Sequence, residues 1–210
     1  MKIILLGGSG FVGQGLIAEM LQDKNFEITS ISRSGGNAVL WRRWPQVKWI
    51  QADLSVNEAA WQKPLSEADW VVDLIGVLFA PDYTVYYQKT IVPLQKVIHF
   101  LQFEALRPKV LFVSANAAPR PLADYIHAKR ELEKQLKERL VQRVFFVYPG
   151  LIYAPERPMV NLMGNFLRRK ITNRLAPHLV KSLRPLKRWE FSQEVKKVLL
   201  SKKSWLCVRN

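Results

Sequence analysis

The stretch Lys2-Ile3-Ile4-Leu5-Leu6-Gly7-Gly8-Ser9-Gly10-Phe11-Val12-Gly13 decides the fold. An unbroken apolar run that ends in glycine suits a strand buried on both faces, as in a parallel sheet covered by helices. Val12, Leu16, Ile17, Met20 and Leu21 then recur at helical spacing. Between strand and helix, Gly7, Gly10 and Gly13 read as G-x-x-G-x-x-G. The first glycine permits a tight turn, the second lets a pyrophosphate approach the backbone, and the third lets helix and sheet pack closely. Free amides at the helix start then face the phosphates. The segment Gly7, Gly8, Ser9, Gly10, Phe11, Val12, Gly13 is therefore the expected wall of a dinucleotide site.

The same alternation continues outward from this turn. Strands are expected at 26–32, 47–51, 70–75, 110–113 and 143–148, with helices at 83–106 and 125–141. Strand and helix in alternation imply an α/β fold with a doubly wound parallel sheet. Beyond Pro149 the pattern changes. A basic amphipathic helix is expected at 159–175, a short helix capped by Ser192 through Leu200, and a last strand at 205–208. Residues 1–150 thus form the nucleotide-binding domain, and residues 151–210 a small basic appendage packed on it.

The chain has 210 residues, 49% hydrophobic and 23% charged, which excludes disorder and fibrous classes. One cysteine, Cys207, excludes an internal disulfide and fits a reducing, cytoplasmic setting. His99, His127 and His178 are scattered, so no metal site is expected. The opening stretch is broken by glycines at 7, 8, 10, 13 and 15 and does not read as a membrane span or signal peptide. The formal charge of +15 is uneven: residues 157–210 hold 14 Lys and Arg against only Glu190 and Glu194. Such asymmetry fits either a solvated basic face or an acidic partner. Leu162, Met163, Phe166, Leu167 and Ile171 interleaved with Arg168, Arg169, Lys170 and Arg174 fit either a helix docked on the sheet with its cations outward or an anionic membrane surface, with the protein peripheral to it. Nucleic acid is disfavoured, because charge is the only feature that suggests it.

Five further places carry chemistry. The second strand ends in Ser30-Ile31-Ser32-Arg33-Ser34 and has no acid for a ribose hydroxyl. Arg33 can fork onto a 2′-phosphate and Ser34 can add a donor, which favours NADP(H) over NAD(H). Asp53, with Leu54, follows the third strand, where a carboxylate can accept from an adenine amino group. Gly76, between Ile75 and Val77, ends the fourth strand, where backbone must pass close to a ribose. Tyr125 and Lys129 are four apart and share a helix face, where an ammonium lowers a phenol pKa toward neutrality. Ser114, at the carboxyl end of the fifth strand, can hold a carbonyl while Tyr125 delivers the proton.

Together, Gly7 to Gly13, Arg33, Asp53, Ser114, Tyr125 with Lys129, and Tyr148-Pro149-Gly150 resemble the short-chain dehydrogenase/reductase superfamily. The likeness is to its atypical, extended branch and to the group containing the NADPH-holding accessory subunit of respiratory complex I. It covers residues 1–155, and the segment from Ser182 to Leu186 resembles that group's C-terminal region. The resemblance implies a Rossmann fold, NADP(H) held by the glycine loop, Arg33, Lys129, Pro149 and Gly150, and Tyr125 as the acid/base. It implies an oxidoreductase acting on a carbonyl, alcohol or quinone-like substrate; the alternative is a non-catalytic NADP(H)-binding scaffold or sensor. Tyr148 stands where the family often has arginine, and the C-terminal segment is short for a substrate pocket.

Overall fold

The computed structural model describes residues 1–56, 59–172 and 183–209. Six strands form one parallel sheet: β1 (Lys2–Leu6), β2 (Glu27–Ser32), β3 (Lys48–Gln51), β4 (Trp70–Asp73), β5 (Lys109–Val113) and β6 (Val144–Val147). Their order is β3-β2-β1-β4-β5-β6. The order reverses between β1 and β4, the switch point outside which open α/β sheets bind ligands.

Alternation along the strands divides the core in two. Ile4 and Leu6 of β1 pack on one face with Trp61 and Leu65 of α3 (Ala59–Ser66), Leu94 and Ile98 of α5 (Val92–Phe103), and Leu132 and Leu136 of α6 (Ala123–Leu140). Ile3 and Leu5 pack on the other with Leu16, Ile17 and Met20 of α1 (Phe11–Met20) and Leu40 of α2 (Ala38–Arg43). The remainder of that second layer comes from the chain's end. Phe191, Val195 and Val198 of α8 (Arg188–Leu199) join the same cluster as Ile3 and Leu5. Close seating of α8 on α1 depends on Gly15, where a Cβ would lie 2.6 Å from Cγ of Arg188.

Several local expectations are corrected. The long helix at 83–106 is α4 (Tyr83–Tyr86), a π-helical turn (Tyr87–Ile91) and α5, which ends at Phe103. Asp82 caps α4 by accepting from Val85 N–H at 3.1 Å. Ser192 is not a cap: it lies inside α8 and donates to the Arg188 carbonyl at 2.9 Å. The cap position is Lys187, whose N–H is taken by Glu190 at 2.8 Å. No strand forms at 205–208, because Ser204 Oγ accepts from Leu206 N–H at 3.2 Å and closes a 3₁₀ turn, Trp205–Cys207. A two-stranded parallel sheet, β7 (Ile152–Tyr153) with β8 (Leu186–Lys187), has no counterpart in the sequence reading. The amphipathic helix α7 spans Pro158–Thr172; its expected run to 175, with His178 and Ser182, falls outside the described residues.

Phe191 is fully buried. Phe191→Ala is expected to lower unfolding stability by about 3–5 kcal/mol in urea denaturation. Trp189→Ala, at a half-exposed neighbour, is expected to change it by only about 0.5 kcal/mol.

Candidate functional site

The β1–α1 turn is built by close approach. Gly7 has φ +85°, a left-handed conformation that glycine adopts without penalty. A Cβ on Gly8 would lie 2.5 Å from Ser30 Oγ, and one on Gly13 only 2.4 Å from the Gly8 carbonyl oxygen. Gly10 is the cap residue of α1 and supplies no side-chain acceptor, so the first amides of the helix are left for a ligand.

Beside this turn lies a cleft of about 380 Å³ over the carboxyl ends of β1 to β4. Its walls include Gly7, Ser9, Gly10, Arg33, Ser34, Asp53, Leu54, Ile75, Gly76 and Val77. Four segments separated by up to seventy residues in sequence thus meet in one place. Gly8, Phe11, Val12, Gly13, Lys129, Pro149 and Gly150 are not part of that lining. Gly8 and Gly13 instead set the shape of the turn. Pro149 and Gly150 form the joint with the C-terminal segment: Pro149 O accepts from Asn116 N–H at 2.9 Å, and a Cβ on Gly150 would overlap the Leu183 carbonyl.

At the far end of β2, three serine hydroxyls cluster in the same part of the lining as Arg33. Ser9 Oγ donates to Ser32 Oγ at 3.0 Å and lies 3.4 Å from Ser34 Oγ. Ser32, Ser55, Gln88, Lys89 and Pro93 also line the cleft and were missed from sequence. Ser32 was readable, since its side chain alternates with that of Ile31. Lys89 was not, because the π-helical turn rotates it off any regular face. Asp53 accepts from Ser55 N–H at 2.9 Å and from Ser55 Oγ, and these bonds, then Arg33, hold its carboxyl below the usual range despite some burial. Beyond Arg33, the Trp41 indole N–H donates to Gly35 O at 3.0 Å, whereas Trp44 is buried core.

Two C-terminal arginines also reach the glycine loop. The guanidinium carbons of Arg157 and Arg188 lie 4.4 and 4.7 Å from the Phe11 ring centroid. Arg188 donates to the Phe11 carbonyl at 3.2 Å and pairs with Glu156. They place positive charge near the start of α1, and no local sequence pattern announces them.

Ser114 and Tyr125 are not in that lining either; the Tyr125–Lys129 helix reaches the back of the cleft wall through Lys129. Lys129 is buried, and its ammonium donates to Ile75 O at 3.1 Å and Val113 O at 3.0 Å. A Cβ on Gly76 would lie 3.5 Å from Nζ, so the ammonium sits directly behind the cleft wall. Burial lowers the lysine's pKa, and Asp73 and Glu133 oppose that shift. Asp73 is itself buried, which pushes its pKa up to about 6, and its Oδ2 has no hydrogen-bond partner. The expectation that Lys129 draws the Tyr125 phenol toward neutrality is not met. Burial pushes that phenol up to about 12, with Tyr86 and Asp73 adding to the shift. The lysine is held instead by backbone carbonyls and two carboxylates. Ser114 is buried and donates to Glu133, which also pairs with Arg209.

Comparison with solved structures places this geometry. NAD-bound UDP-glucuronic acid 4-epimerase from Bacillus cereus superposes with a TM-score of 0.70 at 16% identity, over 98% of this chain and 76% of that one. NAD-bound dTDP-glucose 4,6-dehydratase from Bacillus anthracis gives 0.66 at 14%, over 97% and 73%. A short chain dehydrogenase family protein from Francisella tularensis gives 0.61 at 16%, over 94% and 90%. The chain has the Rossmann fold of these proteins. Against a mutant of the Bacillus cereus epimerase it spans 64% of that chain's length. No family model matches the sequence.

Because Gly8 backbone fills the space beside residue 13, Gly13→Ala is expected to distort the turn. Destabilisation by about 1–3 kcal/mol is expected in chemical denaturation.

Proposed function

We propose that the cleft binds NADP(H) and that the chain is an oxidoreductase acting on a carbonyl or quinone-like substrate. The observation that carries this reading is the phosphate-suited corner of the cleft. Ser9, Ser32, Arg33 and Ser34 gather where an NAD site commonly presents a carboxylate. The residues present fit a dinucleotide: Gly7 and Gly10 of the tightly packed turn line the cleft, and α1 starts without a side-chain cap. NAD in the related epimerase and dehydratase structures supports a nicotinamide dinucleotide of some kind. The 2′-phosphate preference rests on Arg33 and its hydroxyls.

The bound nucleotide would supply the hydride. Gly7 to Gly13 would hold its phosphates, Arg33 and Ser34 the 2′-phosphate, and Asp53 the adenine amino group. Lys129, behind Gly76, would support the adjacent ribose. A phenol with a pKa of about 12 is protonated at neutral pH, so Tyr125 is suited to giving a proton to a carbonyl oxygen as it is reduced. Hydrogen bonding of Ser114 to Glu133 and of Lys129 to two carbonyls supports a second reading, a non-catalytic NADP(H) holder. The resemblance to the complex I accessory subunit belongs with that reading.

Titration with NADPH and NADH, repeated for Arg33→Ala, tests the ligand. NADPH is expected to bind about tenfold or more tighter than NADH, with the difference collapsing in the variant. Failure of both nucleotides to bind would overturn the proposal.

Catalysis is tested by NADPH oxidation with phenanthrenequinone and aromatic aldehydes. The expected rate is flat between about pH 6 and 9 and falls at least about a hundredfold in Tyr125→Phe. Alcohol oxidation, which needs the phenolate, is expected to rise about tenfold per pH unit over the same range. NADPH binding without any Tyr125-dependent turnover would establish the second reading.

A further inference from the structure

We propose that the outward face of α7 lies on an anionic phospholipid surface. Helix α7 is seated through Gly164, where a Cβ would lie 2.4 Å from the Tyr153 ring. That contact fixes which side of the helix faces in. On the opposite side Met159, Leu162, Met163 and Phe166 are 82, 70, 47 and 56% exposed. Their spacing of three, one and three residues makes one stripe along the helix. Large apolar side chains in a contiguous exposed stripe mark a surface that something covers.

The charge around the stripe selects the occupant. Arg169 and Lys170 are exposed on the same helix, and the Lys170 ammonium lies 4.7 Å from the Phe166 ring centroid. Residues 157–210 carry a net charge of +12. A second copy of the chain would bring the same positive field against this face, which disfavours self-association. Nucleic acid would satisfy the cations and leave the apolar stripe in water. An anionic bilayer satisfies both: the stripe enters the acyl boundary while arginine and lysine side chains remain at the headgroups. No helix among the described residues is long and apolar enough to cross a membrane, so the contact is peripheral.

The test is cosedimentation of the full chain with vesicles. One set is phosphatidylcholine alone, and the other an equimolar mixture with phosphatidylglycerol. Binding is expected to the mixed vesicles only, to weaken in raised salt, and to fall about tenfold in Phe166→Asp. Leu162→Gln is the second variant; both positions are exposed, and a thermal melt equal to wild type verifies the fold. Absence of binding to the anionic vesicles would overturn the proposal, as would equal binding by folded variants. A lipid-free wild-type dimer that Phe166→Asp dissociates, by sedimentation velocity, would assign the stripe to a second copy and also overturn it.

Discussion

At the β1–α1 turn, the Gly13 backbone lies so close to Gly8 that no Cβ fits between them, and Gly8 in turn presses on Ser30 of the neighbouring strand. This approach brings the start of α1 over the end of β1 and leaves the helix amides facing the gap between β1 and β4. Cleft shape, helix direction and the position of Arg33 at the end of β2 all follow from it. The core is arranged to hold the turn in place. Ile4 and Leu6 pack on one side of the sheet, and Ile3 and Leu5 on the other. Helix α8 bears on α1 through Gly15, and Arg188 at its start reaches the Phe11 carbonyl. The C-terminal segment is therefore both a layer of the core and a support of the glycine turn.

Beneath the cleft a buried network of Asp73, Lys129, Glu133 and Arg209 is held together by opposing charges. Each member is costly to bury alone, and each is stabilised by a neighbour of opposite sign. The arrangement explains why proximity of Lys129 in sequence does not lower the Tyr125 pKa. The ammonium is directed at Ile75 O and Val113 O, and the phenol responds chiefly to desolvation.

Much of this was legible in the sequence, for identifiable reasons. The apolar run Ile3 to Leu6 followed by glycines specifies a buried strand and a tight turn, and both are local properties. Arg33 and Gly76 were readable because strand ends are marked by a change in pattern. Lys89 was hidden by a π-helical turn, and Arg157 and Arg188 by their distance in sequence from Phe11. Ser192 resembled a cap, yet Glu190 bonds to Lys187 and starts the helix a turn earlier. The orientation of α7 was equally hidden. Its apolar residues resemble a core-facing stripe until Gly164 is seen to be the residue that packs inward.

The most direct test of the central claim is calorimetric titration of the protein with 2′-phospho-ADP-ribose and with ADP-ribose. These fragments report on the glycine turn and the Arg33 corner without engaging the proton-transfer residues. Both are expected to bind, with the 2′-phosphate improving affinity about tenfold or more. Equal affinities would contradict the assignment of Arg33 and its serines to a phosphate, and absence of binding by either would contradict the dinucleotide cleft itself.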